Sequence, residues 1–121
     1  MPKYMLVLRD DPSVFTTYGP GDMQRILEAY NAWSGRMAQE GRLVRGHKLT
    51  DQGGRTMKKA GGRVVTKDGP FVETKEIVSG YFIIAADSYD HAVKLCADHP
   101  VFSHDGTLEI REVDFMGGPE E

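Results

Sequence analysis

Apolar and polar positions along the chain divide it into short elements separated by clear stops. Tyr4 to Leu8 is a compact apolar run halted by Arg9-Asp10-Asp11-Pro12, which predicts a buried strand ended by turn residues. Residues 13–21, rich in Ser, Thr, Gly and Pro, read as a loop, and Asp22 as the cap of a helix. In that helix Met23, Ile26, Leu27, Tyr30, Trp33 and Met37 recur at spacings of three and four, one apolar stripe that asks for a sheet, and Gly41 supplies the stop. Leu43 to Leu49 alternates weakly, as a half-exposed strand does. Gly53-Gly54 and Gly61-Gly62 bracket the polar stretch Arg55 to Ala60, which predicts an exposed hairpin arm.

The stretch Val64 to Ala86 organises the rest. Val64-Val65-Thr66 is a short β-branched strand running into the turn Lys67-Asp68-Gly69-Pro70, and Ile77 to Ala86 is apolar at nearly every position, as a central strand covered on both faces would be. Only Ser79-Gly80 interrupts it, where Gly80 marks a bulge or a close backbone approach. Asp87 or Ser88 caps a second helix with Ala92, Leu95 and Cys96 inward, and Pro100 ends it. In the last strand, Thr107 to Phe115, Leu108 and Ile110 share a phase that Val113 and Phe115 reverse, which suggests a bulge or a strand that crosses between partners.

The order strand, helix, strand, hairpin arm, strand, helix, strand predicts an α+β chain: a ferredoxin-like β-α-β-β-α-β layout with an extra arm, residues 1–116 forming one domain and 117–121 a flexible tail. Helices then cover one sheet face. A central strand apolar on both sides leaves the other face in need of cover, and a second copy of the chain is the simplest one, so a homodimer is expected.

Length and charge narrow the function. With 121 residues and 18 acidic against 15 basic side chains spread without blocks, nothing steers the chain to nucleic acid or anionic lipid. The lone Cys96, set in an apolar helical pattern, reads as a small buried hydrophobe; with no signal peptide or membrane-length apolar run evident, the expected location is cytoplasmic. The four histidines lack metal-ligand spacing, so no metal is expected, and no cofactor either. His99, beside Pro100, reads as a helix-ending cation. Ionisable groups concentrate instead in Asp68, Glu73, Lys75 and Glu76. Carboxylates beside a glycine turn suit general-base work or a hydroxylated ligand, and Lys75 suits a carbonyl or an anion; a turn-closing Asp68 and a Glu73–Lys75 ion pair are the structural alternative. The expected small-molecule cleft lies between helices and sheet, lined by Tyr30, Asp68, Glu73 and Lys75, with His47 and Arg111 as further contacts.

The run Asp68-Gly69-Pro70-Phe71, then Glu73-Thr74-Lys75-Glu76 and Gly80-Tyr81, resembles the signature of the DGPF family, a branch of the YCII-related proteins. Gly41-Arg42-Leu43-Val44, Asp90-His91-Ala92 and Leu108-Glu109-Ile110-Arg111 extend the likeness over nearly the whole chain, although Glu112 stands where DGPF relatives commonly have proline. The resemblance implies a dimeric α/β barrel, two sheets packed face to face. Some YCII-related proteins look as though they pair a histidine of the first helix with an aspartate just before a proline near the second. Tyr30 and His99 stand at those places, so the dyad is absent and the two side chains are expected only as donors lining the same cleft. DGPF relatives often occur beside or fused to alternative sigma factors. Two functions follow: a small-molecule-binding or regulatory homodimer with a sigma-factor-linked partner, or a small acid-base enzyme acting on a polar organic substrate.

Overall fold

The computed structural model describes residues 1–69 and 75–116. Four strands form one antiparallel sheet: β1 (Lys3–Asp10), β2 (Leu43–Lys48), β5 (Ile77–Ala85) and β6 (Thr107–Glu112). Between β2 and β5 in sequence, β3 (Arg55–Ala60) and β4 (Arg63–Asp68) pair only with each other. The order across the main sheet is β2-β5-β1-β6. With the arm set aside, this is the 4-1-3-2 order compatible with a ferredoxin-like α+β fold. The arm turns at Gly61 and Gly62, both at positive φ (57° and 77°), as a two-residue hairpin loop of the type I′ class requires.

Helix α1 (Pro20–Gln39) and helix α2 (Tyr89–Cys96) cover one sheet face. Buried Tyr4, Leu6 and Leu8 of β1 and Ile84 of β5 meet Trp33 and Met37 of α1, Ala92 and Cys96 of α2, and Val101. The Trp33 indole N–H donates to the Leu95 carbonyl (3.1 Å) and Arg36 grips the Asp98 carboxylate with two 2.8 Å bonds, so the two helices are tied together as well as packed. No helix among the described residues is long and apolar enough to cross a membrane.

Several boundaries differ from the sequence expectation for identifiable reasons. Asp22 is not the helix cap: α1 starts at Pro20, after Gly19, and Asp22 sits one turn in, accepting the Gly19 N–H (2.9 Å). Gly41 does end the helix, at φ 72°, with Arg42 N–H bonded to Met37 and Gly41 N–H to Ala38 in a Schellman pattern. Part of the expected loop is a 3-10 segment, Pro12–Thr17, capped by Asp11. Strand β6 stops at Glu112, so the phase reversal at Val113 and Phe115 lies beyond the strand. Only Trp33 and Met37 of the α1 stripe are buried, while Met23 and Leu27 are exposed.

Two close backbone approaches fix the end of the sheet where β1 finishes. β1 and β5 slip register between Leu8 and Arg9, whose partners are Gly80 and Val78, so Ser79 is the extra residue of a bulge. A Cβ on Gly80 would lie 2.8 Å from the His47 carbonyl oxygen of β2. A Cβ on Gly106 would lie 2.9 Å from the Arg9 carbonyl oxygen and from that of Val101. Both positions meet backbone, which cannot step aside cheaply, and Gly106 also meets the Val101 side chain at 2.5 Å. Gly80→Ala is therefore expected to lower unfolding stability by about 1–3 kcal/mol. Gly35→Ala, in the interior of α1 with no atom within 4 Å of the added carbon, is expected to raise it by roughly 0.5–1 kcal/mol. Urea unfolding of the two variants checks both signs; a neutral Gly80→Ala would mean that the bulge has room.

Candidate functional site

Alternation along β1 places Tyr4, Leu6, Leu8 and Asp10 on the helix-covered face. The strand runs two residues further than its apolar run predicts, and Asp10, still paired with Ile77, is carried inward to 4% exposure. A carboxylate there loses its hydration, and the desolvation pushes its pKa above the usual range, opposed by His104, Ser79 and Lys48. Ser79 is close because the bulge turns it inward, where its hydroxyl also reaches the Leu8 carbonyl (3.4 Å). Lys48, paired with Asp51 at 3.0 Å, lies at the end of neighbouring β2.

His104 arrives from the opposite direction. After α2 the chain forms a second 3-10 segment, Pro100–His104, ended by Asp105 in the left-handed region (φ 63°). Gly106 lets this turn press against the Arg9 carbonyl, and that contact sets His104 beside Asp10, its Nδ1 3.7 Å from Oδ2. The separation is beyond a hydrogen bond but within reach of a strong Coulomb interaction between groups only 3–4% exposed. On its other side, His104 Nε2 is 3.0 Å from the Tyr30 hydroxyl of α1. Burial, and after it the Asp10 charge, hold the Tyr30 phenol protonated well above its ordinary range. A protonated phenol can donate to Nε2, and in that tautomer the ring proton is on Nδ1, facing Asp10. The imidazole lies between Phe15 of the Pro12–Thr17 segment (centroids 5.1 Å apart) and the stacked Tyr30 ring (6.0 Å).

Asp10 Oδ1, His104 Nδ1 and His99 Nε2 are buried without a hydrogen-bond partner among the described residues. A buried polar atom left unpaired costs about 1–3 kcal/mol. His99 differs from His104 in kind. Its Nδ1 accepts the Val101 N–H (3.0 Å), capping the 3-10 segment, and its ring is enclosed by Trp33, Tyr30 and Phe82 at centroid distances of 4.5, 5.4 and 5.6 Å. Burial lowers its pKa to about 4. The expectation of a helix-ending cation is corrected: the ring is neutral, because an apolar enclosure disfavours its charged form.

The five expected cleft residues among those described are dispersed. Tyr30 is in the network. Lys75 is exposed and acts electrostatically on Asp11, the next residue after Asp10. Asp68 is at the root of the arm, ion-paired with Arg55 (3.1 Å). His47 pairs with Tyr81, and Arg111 with Met5, on the sheet face opposite Tyr30, because strand alternation sends them outward; within one protomer they do not share a cleft with it. His47 Nδ1 meets the Tyr81 hydroxyl there (2.8 Å), and Arg111 is near Glu109, which Arg9 binds at 2.8 Å. Glu73 lies outside the described residues, as do Pro70 to Thr74 of the signature and the tail 117–121. Sequence reasoning passed over Asp10, Ser79 and His104. The signal for Asp10 was its phase with Leu6 and Leu8; for Ser79 it was the Ser-Gly interruption of an apolar strand.

A family model of the YCII-related domain matches residues 2–116. The chain belongs to that family. This YCII-related protein carries Tyr30 and His99 where some relatives were expected to show an acid-base pair, and in the structure the two rings are in edge contact beside His104. No curated protein matches the chain at a significant level. Among the described residues no group of three or more His, Cys, Asp or Glu side chains is placed to hold a metal ion. Cys96 is buried and its thiol is pushed up to about 12, as a core hydrophobe requires.

His99 gives the site a pH signature. Its folded pKa of about 4 lies below the roughly 6.5 of an unfolded histidine, so between these values the unfolded chain binds a proton that the folded one refuses. Stability is intact above pH 6.5 and falls by up to about 3 kcal/mol on the way to pH 4. Asp10, with a raised pKa, acts with opposite sign, favouring the folded state as pH falls. His99→Asn, which retains an acceptor for Val101, is expected to flatten the decline, read by urea unfolding from pH 7 to 4; parallel curves for both proteins would exclude His99 as its source.

Proposed function

We propose that the protein is a small acid-base enzyme acting on a polar organic molecule at Tyr30, His104 and Asp10. The observation that carries this is the buried chain from phenol to imidazole to carboxylate. Asp10 stabilises positive charge on His104, His104 is the base, and Tyr30, kept protonated, donates to a ligand oxygen. A proton taken from the ligand goes to His104 Nε2, which the Tyr30 hydroxyl gives up when it turns to the ligand. A regulatory binding module would need ligand contacts but not a titratable chain among them. Lys75, near Asp11, is a further ligand contact in this reading. Within the YCII-related family, Asp68-Gly69-Pro70-Phe71 favours the DGPF branch.

The same reading makes the protein a homodimer. Met5 and Val7 of β1 and Tyr81 and Ile83 of β5 are aligned on the face away from the helices, an apolar strip bordered by Arg9, Glu109 and Arg111. A second copy laid on this strip would bury it as two sheets face to face.

The test of the site is a thermal-shift screen of polar metabolites, with hits measured by calorimetry on wild type, Tyr30→Phe and His104→Gln. Affinity is expected to fall about two- to tenfold on loss of the Tyr30 hydroxyl, the range of one neutral hydrogen bond. Conversion of a hit is expected to fall by about 10²-fold or more in His104→Gln, as removal of a general base does. Hits bound and left unconverted by wild type, or unaffected by either change, would refute the assignment. For the dimer, Ile83→Asp sets a charge in the apolar strip, and sedimentation is expected to show monomer or unfolded chain; an unchanged dimer mass would place the interface elsewhere.

A further inference from the structure

The α1 stripe changes environment along its length. Met23, Ile26, Leu27, Tyr30, Trp33 and Met37 share one face of the helix, within about 120° of arc. Trp33 and Met37 are buried, Tyr30 and Ile26 half-buried, and Leu27 and Met23 are 56% and 42% exposed. The exposed end starts where Tyr30 hands its hydroxyl to His104 and runs outward for about 10 Å, seven residues of helical rise. Its borders are polar: Asp22 is paired with Arg25 on one side, and Gln24 is bonded to Glu28 (3.1 Å) on the other. At the inner end Phe15 packs against the His104 ring, and Tyr30 joins the strip to the buried polar groups through its hydroxyl.

We infer that the molecule bound at Tyr30 and His104 is amphipathic: a hydroxyl or carbonyl head meets these two side chains, and a narrow apolar tail lies along Ile26, Leu27 and Met23. The inference rests on the acid-base reading of that site. A second copy of the chain is a poor occupant of this strip, since a stable interface needs about 800 Å² per partner and three side chains between fixed polar borders do not offer it. A single alkyl or aryl tail needs no more than a strip. It is also continuous with the buried polar groups, as the two ends of one ligand must be.

The probes are straight-chain 2-alkanones of increasing length, neutral carbonyl heads with tails that differ by one methylene, with binding followed by ligand-detected NMR. Affinity is expected to rise about two- to fourfold per methylene, levelling when the tail outruns the ~10 Å strip. Leu27→Ser and Met23→Ser, both at exposed positions, are expected to fold normally and to flatten the series. Tyr30→Phe is expected to weaken every member by the same factor and leave the slope intact. A flat series on wild type, or a slope that survives both serine variants, overturns the inference. A slope lost in the serine variants but no effect of Tyr30→Phe keeps the apolar strip and removes the proposed head site. A drop in dimer mass in Leu27→Ser would assign the strip to a second copy and overturn the inference.

Discussion

The organising constraint is a carboxylate on the core side of a strand. Period-two alternation leaves Asp10 no other direction once β1 continues past Leu8, and burial at that depth removes most of its hydration. Such a group must be given partners or neutralised. The chain does some of each: the β5 bulge supplies the Ser79 hydroxyl, the Pro100–Gly106 turn supplies His104, and the pKa rises. Neither partner reaches its place without a glycine. Gly80 permits β2 and β5 to close over the bulge, and Gly106 permits the turn to rest on the end of β1. A buried carboxylate, a bulge and two close backbone contacts are thus one arrangement.

How much of this was legible in the sequence differs by element. The alternation of strands and helices, the glycine-bracketed arm, the Gly41 stop and the inward faces of Trp33, Met37, Ala92 and Cys96 follow from local rules, because each is decided within a turn or two of chain. The bulge was visible as Ser79-Gly80, though not its consequence, since a bulge re-aims a side chain toward something that only the fold supplies. Asp10 was taken for a turn residue on composition, Arg-Asp-Asp-Pro, when its phase with Leu6 and Leu8 was the better guide. The dense charges around Asp68 to Glu76 drew attention in one dimension. In three, Asp68 is held by Arg55 in the arm, while His47 and Arg111 are on the other side of the sheet from Tyr30. Proximity in sequence between titratable groups says little once a strand has alternated them and a hairpin has carried some away.

The two sheet faces then separate two kinds of work. On the helix side the pairing of Leu6 with Phe82 and Ile110 builds a core that ends, at the Asp10 edge, in polar groups. On the other side, Val7 between Tyr81 and Glu109 belongs to a strip whose charged residues are already paired along its border. Tyr30 belongs to both core and site: its ring packs against the buried cluster and its hydroxyl meets His104. Motion of α1 against the sheet would therefore be felt at His104, which makes the helix that carries the apolar stripe the element that also sets the phenol in place.

His99 and His104, five residues apart at the two ends of one turn, meet environments of different kinds. His99 is ringed by Trp33, Tyr30 and Phe82, spends one nitrogen on the Val101 amide, and is held neutral by burial that outweighs the nearby Asp98 charge. His104 has the Asp10 carboxylate 3.7 Å from one nitrogen and the Tyr30 phenol 3.0 Å from the other. Tyr30 touches both rings. In this chain the position of the expected first-helix histidine is filled by a phenol that is hard to ionise, and the position of the expected aspartate by a histidine that is hard to protonate. One layer away, Asp10 and His104 face each other on the strand end and the turn that Gly106 brings together.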